Sequence, residues 1–220
     1  MKEKDWSKVI SGQICVHKGD KSLIEIINCM KPASRQFPWH MHAEGKEGEN
    51  GRSLLRIVML DYSNEQETVS VYANLKPEEI KYLYAKVFVG KEEVIFTQQK
   101  IFMDKESQDG RVTYLTITRH ECDQNGDKRK YPWYIEIQNG IGEIAYNQKG
   151  GQYCKPRSYR KEKHAKIYLT DEDMFVFFCR ANTVIEAYER DTLFHLRDVG
   201  NFQKLYKLLL QAMQGDKKAA

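Results

Sequence analysis

The sequence contains no apolar run approaching the roughly 20 residues that a bilayer-spanning helix requires, which argues against a membrane protein of that kind. No apolar stretch follows the charged start Met1-Lys2-Glu3-Lys4-Asp5, so no signal peptide is expected. The cysteines Cys15, Cys29, Cys122, Cys154 and Cys179 are scattered and odd in number, which argues against a secreted disulfide framework and for a reducing interior. Tight cysteine pairs of the C-x₂-C kind are missing. The remaining combinations, His40 with His42, His120 with Cys122, and Cys154 with His164, do not supply the four converging ligands of a zinc site. A G-x-S-x-G elbow, a Walker loop and an H-E-x-x-H helix are missing too. The acids Asp61, Glu67, Asp104 and Glu121 are scattered and read as surface rather than as a magnesium site. These absences predict a cytoplasmic protein with no catalytic activity, cofactor or metal.

A chain of 220 residues is long enough to bury a real core. Its net charge of +4 is modest, but the charge is segregated. Lys149, Lys155, Arg157, Arg160, Lys161, Lys163 and Lys166 fall in one segment against a single acid, Glu162. Acids gather elsewhere, at 44–49, 78–79 and 171–173. Segregation of this kind creates a local positive potential on a nearly balanced protein.

Alternation and turn residues predict strands over 8–16, 22–30, 54–61 and 68–73, with a long loop over 32–52 that contains Pro32, Pro38, Gly45, Gly48 and Gly51. Pro77 then opens a helix that ends near Gly90, with Glu78 and Glu79 at the positive end of its dipole. The same order follows: strands over 93–103, 111–120, 133–138 (continuing past Gly140 to 146) and 165–169, then a helix capped by Thr170 with Asp173 three residues on. Asn125-Gly126 signals a turn, and Gly140-Ile141-Gly142 a kink within a strand. That helix is expected to run past Glu189. A last amphipathic helix over about 201–213 carries Phe202, Leu205, Leu208 and Leu209 on one face.

The two helix starts resemble each other. Leu75-Lys76-Pro77-Glu78-Glu79-Ile80 matches Leu169-Thr170-Asp171-Glu172-Asp173-Met174, and each follows a short apolar strand with a tyrosine, Val71-Tyr72 or Ile167-Tyr168. Within the helices, Ile80, Leu83, Tyr84 and Val87 match Met174, Phe177, Phe178 and Ala181 at one constant offset. A period this long points to two copies of a sheet-plus-helix unit. The predicted fold class is α+β: two ββββα repeats forming two packed antiparallel sheets, with a C-terminal helical extension. The units are a first at about 6–90, a second at about 92–195 and the extension at about 196–214, all in a single domain.

A duplicated ββββα unit resembles the Whirly family of single-stranded DNA-binding proteins, and is similar to the Pur repeat proteins and the trypanosomal guide-RNA-binding proteins. The residues that carry the resemblance are the junctions from Tyr72 to Tyr84 and from Tyr168 to Phe178, with the strand count before each. It implies two antiparallel sheets packed together, helices supporting one side, and a single-stranded nucleic acid as ligand.

The residues themselves point the same way. The segment 149–164 interleaves cations with Tyr153 and Tyr159, and its glycines and proline predict a loop that can wrap a flexible strand. Cations neutralise phosphates, and aromatic faces stack on unpaired bases. The period of two puts Val112, Tyr114, Thr116, Thr118 and His120 on one face, opposite Arg111, Thr113, Leu115, Ile117 and Arg119. Tyr134, Glu136 and Gln138 form a similar mixed face beside the core candidates Trp133, Ile135 and Ile137. The expected nucleic-acid-binding residues are therefore Lys100, Arg111, Tyr114, Arg119, Tyr134, Lys149, Tyr153, Lys155, Arg157, Tyr159, Arg160, Lys161 and Lys163. Arg35, Phe37 and Trp39 form a further aromatic loop that either plugs the sheet end or grips a partner. The expected partner is single-stranded DNA or RNA, DNA first, with the last helix available for self-assembly. The alternative is a protein–protein module of a phage or mobile element that blocks a host nucleic-acid enzyme.

Overall fold

The computed structural model describes residues 12–33, 40–46, 48–49, 51–64, 66–103 and 109–215, with the side chains of the last helix as far as Leu193. Four strands come first: β1 (Gln13–Lys18), β2 (Ser22–Cys29), β3 (Leu54–Asp61) and β4 (Val69–Leu75). Helix α1 (Pro77–Val89) follows, then β5 (Glu93–Met103), β6 (Asp109–His120), β7 (Trp133–Tyr146), β8 (Gln152–Cys154), β9 (Arg160–Leu169) and helix α2 (Asp171–Gly215). The fold is α+β, as the sequence pattern predicts, with antiparallel sheets of four and five strands. The second sheet has one strand more than expected, because β8 forms inside the basic segment. The segment read as a separate last helix is the continuation of α2, which runs unbroken through Gly200. Its expected apolar face, Phe202 to Leu209, lies beyond the described side chains. No helix among the described residues is long and apolar enough to cross a membrane.

Contacts divide the chain into two compact units, Met1–Cys29 with Leu54–Asn182, and Met30–Ser53 with Thr183–Ala220. The first holds both sheets. Strands β1 to β4 pair in chain order. In the second sheet β5, β6 and β7 pair in chain order, and the far side of β7 is shared by β9 along Trp133–Ile141 and by β8 along Ile144–Tyr146. Strand β4 packs against β6, β7 and β9, and β9 packs against β2, β3 and β4, so the two sheets lie against each other.

The core follows from alternation. Ile24, Ile26, Leu55, Ile57, Met59, Val71, Ala73 and Leu75 face inward from the first sheet. Leu115, Ile117, Trp133, Ile135, Ile137, Ala165, Ile167 and Leu169 do so from the second. Ile80 and Leu83 of α1, and Met174, Phe177 and Phe178 of α2, complete the burial. Cys15 is buried there with its thiol 3.4 Å from the Phe177 carbonyl, and burial pushes that thiol up to about 11. The two strand–helix junctions bury corresponding positions, Val71, Ala73 and Leu75 against Ala165, Ile167 and Leu169. The tyrosines do not correspond: counted from the helix starts, Tyr72 and Tyr168 stand two residues out of step.

Both helices open as their sequences require. The Glu79 carboxylate accepts the Lys76 backbone N–H at 2.7 Å, and Gly90 closes α1 in the left-handed region at φ 67°. At α2 the Asp173 carboxylate accepts the Thr170 N–H at 3.1 Å while Thr170 Oγ1 accepts the Asp173 N–H at 3.1 Å, a reciprocal capping box. Partial burial opposes ionisation of Asp173, but the bonds from Thr170 and the nearby His17 outweigh it and hold its carboxyl below the usual range. Thr170→Ala is expected to cost about 1 kcal/mol in urea unfolding. A depressed carboxyl stabilises the fold above its unfolded-state value and loses that contribution as pH falls through the folded one, so the cost shrinks in acid.

The second unit is a segment and a helix length. The described residues of its 30–53 segment make the Ala43 N–H to Lys31 carbonyl bond at 3.0 Å, the Ser53 N–H to Ala43 carbonyl bond at 2.8 Å and a bridge between Glu44 and Arg52. Its helical part is α2 from Thr183 onward.

Candidate nucleic-acid interface

The basic segment is a folded hairpin, not a loop. Asn147 Oδ1 accepts the Lys149 and Gly151 N–H groups at 3.0 and 2.8 Å, and Gly150 takes φ 76°. This turn reverses the chain so that β8 pairs back on the end of β7. A second tight turn follows, with the Lys155 N–H on the Glu143 carbonyl at 2.8 Å and the Ser158 hydroxyl on the Lys155 carbonyl at 2.9 Å. Arg157 occupies the left-handed region at φ 66°. The last strand then begins at Arg160 rather than at the expected residue 165.

The hairpin is anchored by a small second core on the side of β6 and β7 away from Leu115 and Ile137. Val112, Ile144 and Cys154 are buried there, with Ile101, Tyr114 and Tyr159 against them. The glycine kink makes this possible. A Cβ on Gly140 would lie 2.2 Å from the Arg160 carbonyl oxygen, and one on Gly142 would lie 2.4 Å from the Cys154 sulfur. The β7–β9 register shifts between Asn139 and Gly140, where the kink was expected.

The expected site residues divide into three groups. Arg119 and Lys100 serve the fold. Arg119 is only 7% exposed and grips Asp171 with Nε at 2.8 Å and Nη2 at 2.9 Å, while Nη1 donates to the Lys91 and Glu92 carbonyls at 2.9 Å. Lys100 shares the face of Val94 and Gln98 and bonds the Asn74 carbonyl of β4, so it is not on the wet face where it was expected.

The second group is aromatic and half-buried. Tyr114 accepts the Gln99 amide at 2.6 Å and meets Tyr159 edge-on at 4.9 Å. Burial pushes the Tyr159 hydroxyl up to about 12, and its buried oxygen has no hydrogen-bond partner among the described residues. Tyr134 stands beside Tyr168 at 5.1 Å, and burial followed by the Glu136 carboxylate raises its hydroxyl well above the normal range. Cross-strand register places Thr118, Tyr134 and Tyr168 in one row, Thr116, Glu136 and Lys166 in the next, and Tyr114, Gln138 and His164 in a third.

The third group is exposed and cationic. Lys149, Arg157, Lys161, Lys163 and Arg111 are exposed and carry no ion pair among the described residues. Lys155 pairs with Glu143, and Arg160 lies 3.4 Å from Asp109. Tyr153 is exposed on β8, with Tyr146 opposite its turn-side neighbour Gln152. Tyr146, Lys166, Tyr168 and Tyr72, all of which are exposed, were not among the expected binding residues. Their signal was available in the period-two pattern around the buried Val71, Ala73, Ala165 and Ile167. Arg35, Phe37 and Trp39 lie outside the described residues.

In the second unit, His42 lies 3.1 Å from both Ser53 Oγ and Glu189 Oε1 and stacks on Tyr188 at 5.3 Å. Serine, histidine and carboxylate in this order resemble a hydrolase triad. Ser53 is 1% exposed, however, and its Oγ already accepts the Lys31 N–H at 3.0 Å, so no substrate carbonyl reaches it. The trio is a satisfied polar network that ties 30–53 to α2. No group of three or more His, Cys, Asp or Glu among the described residues is placed to hold a metal ion. No protein-family model, curated protein or solved structure matches the chain.

Proposed function

We propose that the chain is a non-catalytic cytoplasmic protein that binds single-stranded nucleic acid, DNA first, as the Whirly-like order of its elements suggests. The observation that supports this most is the set of exposed cations Lys149, Arg157, Lys161 and Lys163, which carry no ion pair among the described residues, on a hairpin and its following strand, with the exposed rings of Tyr146 and Tyr153 on the same hairpin. Cations without protein partners are free to replace the counterions of a phosphate chain, and exposed rings offer faces to unpaired bases. The hairpin backbone is paired with β7 and anchored on Val112, Ile144 and Cys154, so the positions that carry these cations are set by the fold.

The test is a salt series with labelled oligo-dT, oligo-U and duplex. The expected log–log slope is about −0.7 per neutralised phosphate, with single strands preferred to duplex. Replacing Arg157, Arg160 and Lys161 together by glutamate is expected to flatten the slope by roughly 2. Binding that ignores salt, or none to either oligomer, overturns the reading.

A second reading has its own observation. Phe88 and Val89 near the end of α1 are 69% and 65% exposed, and Phe175 and Val176 of α2 are partly exposed. Exposed apolar side chains of this size favour a protein partner. A partner held there retains its affinity when the three hairpin cations are reversed.

A further inference from the structure

A groove of about 590 Å³ runs between the edge of β4 and the far halves of β6, β7 and β9. Its size falls within the ~300–1,000 Å³ range of ordinary ligand sites. It is lined by Ser70 and Tyr72 of β4, Phe102 of β5, Arg111 of β6, Asn139 of β7 and Lys163 of β9. This brings together two cations separated widely in sequence and sets them beside two aromatic rings. Tyr72 is 47% exposed and Phe102 53% exposed, so both residues present surface to a ligand.

The Tyr72 ring is held from one side. One side carries the Arg56 guanidinium at 4.6 Å from the ring centre, and Arg56 is itself fixed by the Asn74 side chain at 3.1 Å. A ring fixed from one side by a cation, in a residue that lines the groove and is half exposed, can serve as a stacking surface. The floor is polar: the Asn139 amide donates to Thr113 Oγ1 at 2.9 Å. Arg111 and Lys163 have no ion pair among the described residues. Of the two carboxylates at the groove, Asp109 is 3.4 Å from Arg160, and Glu162 is exposed.

We infer that this groove is a base-stacking subsite for a nucleotide of a bound single strand, Tyr72 and Phe102 taking the base and Arg111 and Lys163 the flanking phosphates. The inference rests on the single-strand reading above and extends its contact region through Lys163 into the groove, away from the β7–β8 turn.

Tyr72→Ala and Phe102→Ala are each expected to weaken oligo-dT binding about tenfold, and Tyr72→Phe and Phe102→Tyr to retain it. Glu162→Gln is expected to tighten binding, because it removes the exposed like charge beside the phosphate path. Thermal unfolding of each variant guards against misfolding, and a loss of affinity that follows a lowered midpoint counts against the subsite. Oligo-dT binding by the unaltered chain, with alanine variants that bind equally well, overturns the subsite and leaves the single-strand reading standing. Failure of the unaltered chain to bind any single strand overturns both.

Discussion

Replacing Arg119 by methionine is expected to lower the stability of the fold by about 2–4 kcal/mol in urea unfolding at neutral pH. The side chain is of similar volume, so the loss is not a cavity. It is the loss of four hydrogen bonds from a buried guanidinium, two to Asp171 and one each to the Lys91 and Glu92 carbonyls. Asp171 is partly exposed and can take water in exchange, which keeps the cost below that of a fully enclosed pair. Trp133, buried beside it, keeps its indole bond to Asp171 at 2.7 Å. The pair also sets an acid limb. The Arg119 guanidinium beside Asp171 holds that carboxyl below its ordinary value. Its contribution is therefore complete above the unfolded-state value near ~4 and is lost as pH falls through the lower folded value. The difference between the two proteins is expected to be largest at neutral pH and to shrink on acidification. Equal unfolding midpoints, or a difference indifferent to pH, would contradict this account of Arg119.

The second large effect belongs to Gly140. Alanine there places a methyl 2.2 Å from the Arg160 carbonyl oxygen and 2.8 Å from the Tyr159 ring. A carbonyl cannot yield as a flexible side-chain end does, so β9 must shift or the kink must open. The expected cost is about 1–3 kcal/mol or more. It is accompanied by displacement of Tyr159 from Tyr114 and by faster reaction of the Cys154 thiol, which the native hairpin covers. Thermal melting and thiol-reagent kinetics measure the two consequences. An unchanged melting midpoint with unchanged thiol kinetics would show that β9 is not seated on the glycine.

The features legible in the sequence were those with local causes. Pro77, the Thr170–Asp173 box and the Asn125-Gly126 turn, where Gly126 takes φ 89°, each act within a few residues. Strands with one face in the core showed themselves by alternation, as in β3, whose bounds match the expected 54–61. The first half of β9 did not, because all five residues from Arg160 to His164 are exposed and alternation has nothing to report. A separate last helix was expected over about 201–213, yet α2 runs unbroken through Gly200, although glycine costs roughly 1 kcal/mol within a helix. Arg119 could have been placed by its phase with Leu115 and Ile117, but its charge suggested solvent. Its partner Asp171 is distant in sequence and invisible to any local pattern. The groove around Tyr72 depends on how strands of two sheets come together, which no single strand encodes.

The pairing order of the strands has a kinetic side. In the first sheet, neighbours in the chain are neighbours in the ladder, and the last pairing ends at Leu75. Only the 30–53 segment makes a long closure, and closure entropy grows slowly, by about 0.6 kcal/mol per doubling of length. A chain emerging from the ribosome can therefore complete this sheet before β7 is made. The β7–β9 ladder, which joins Trp133 to Leu169, closes around the intervening hairpin. A turn at Asn147 that forms early shortens this closure, so a change that slows the turn is expected to slow assembly of the second sheet even where the finished protein is no less stable.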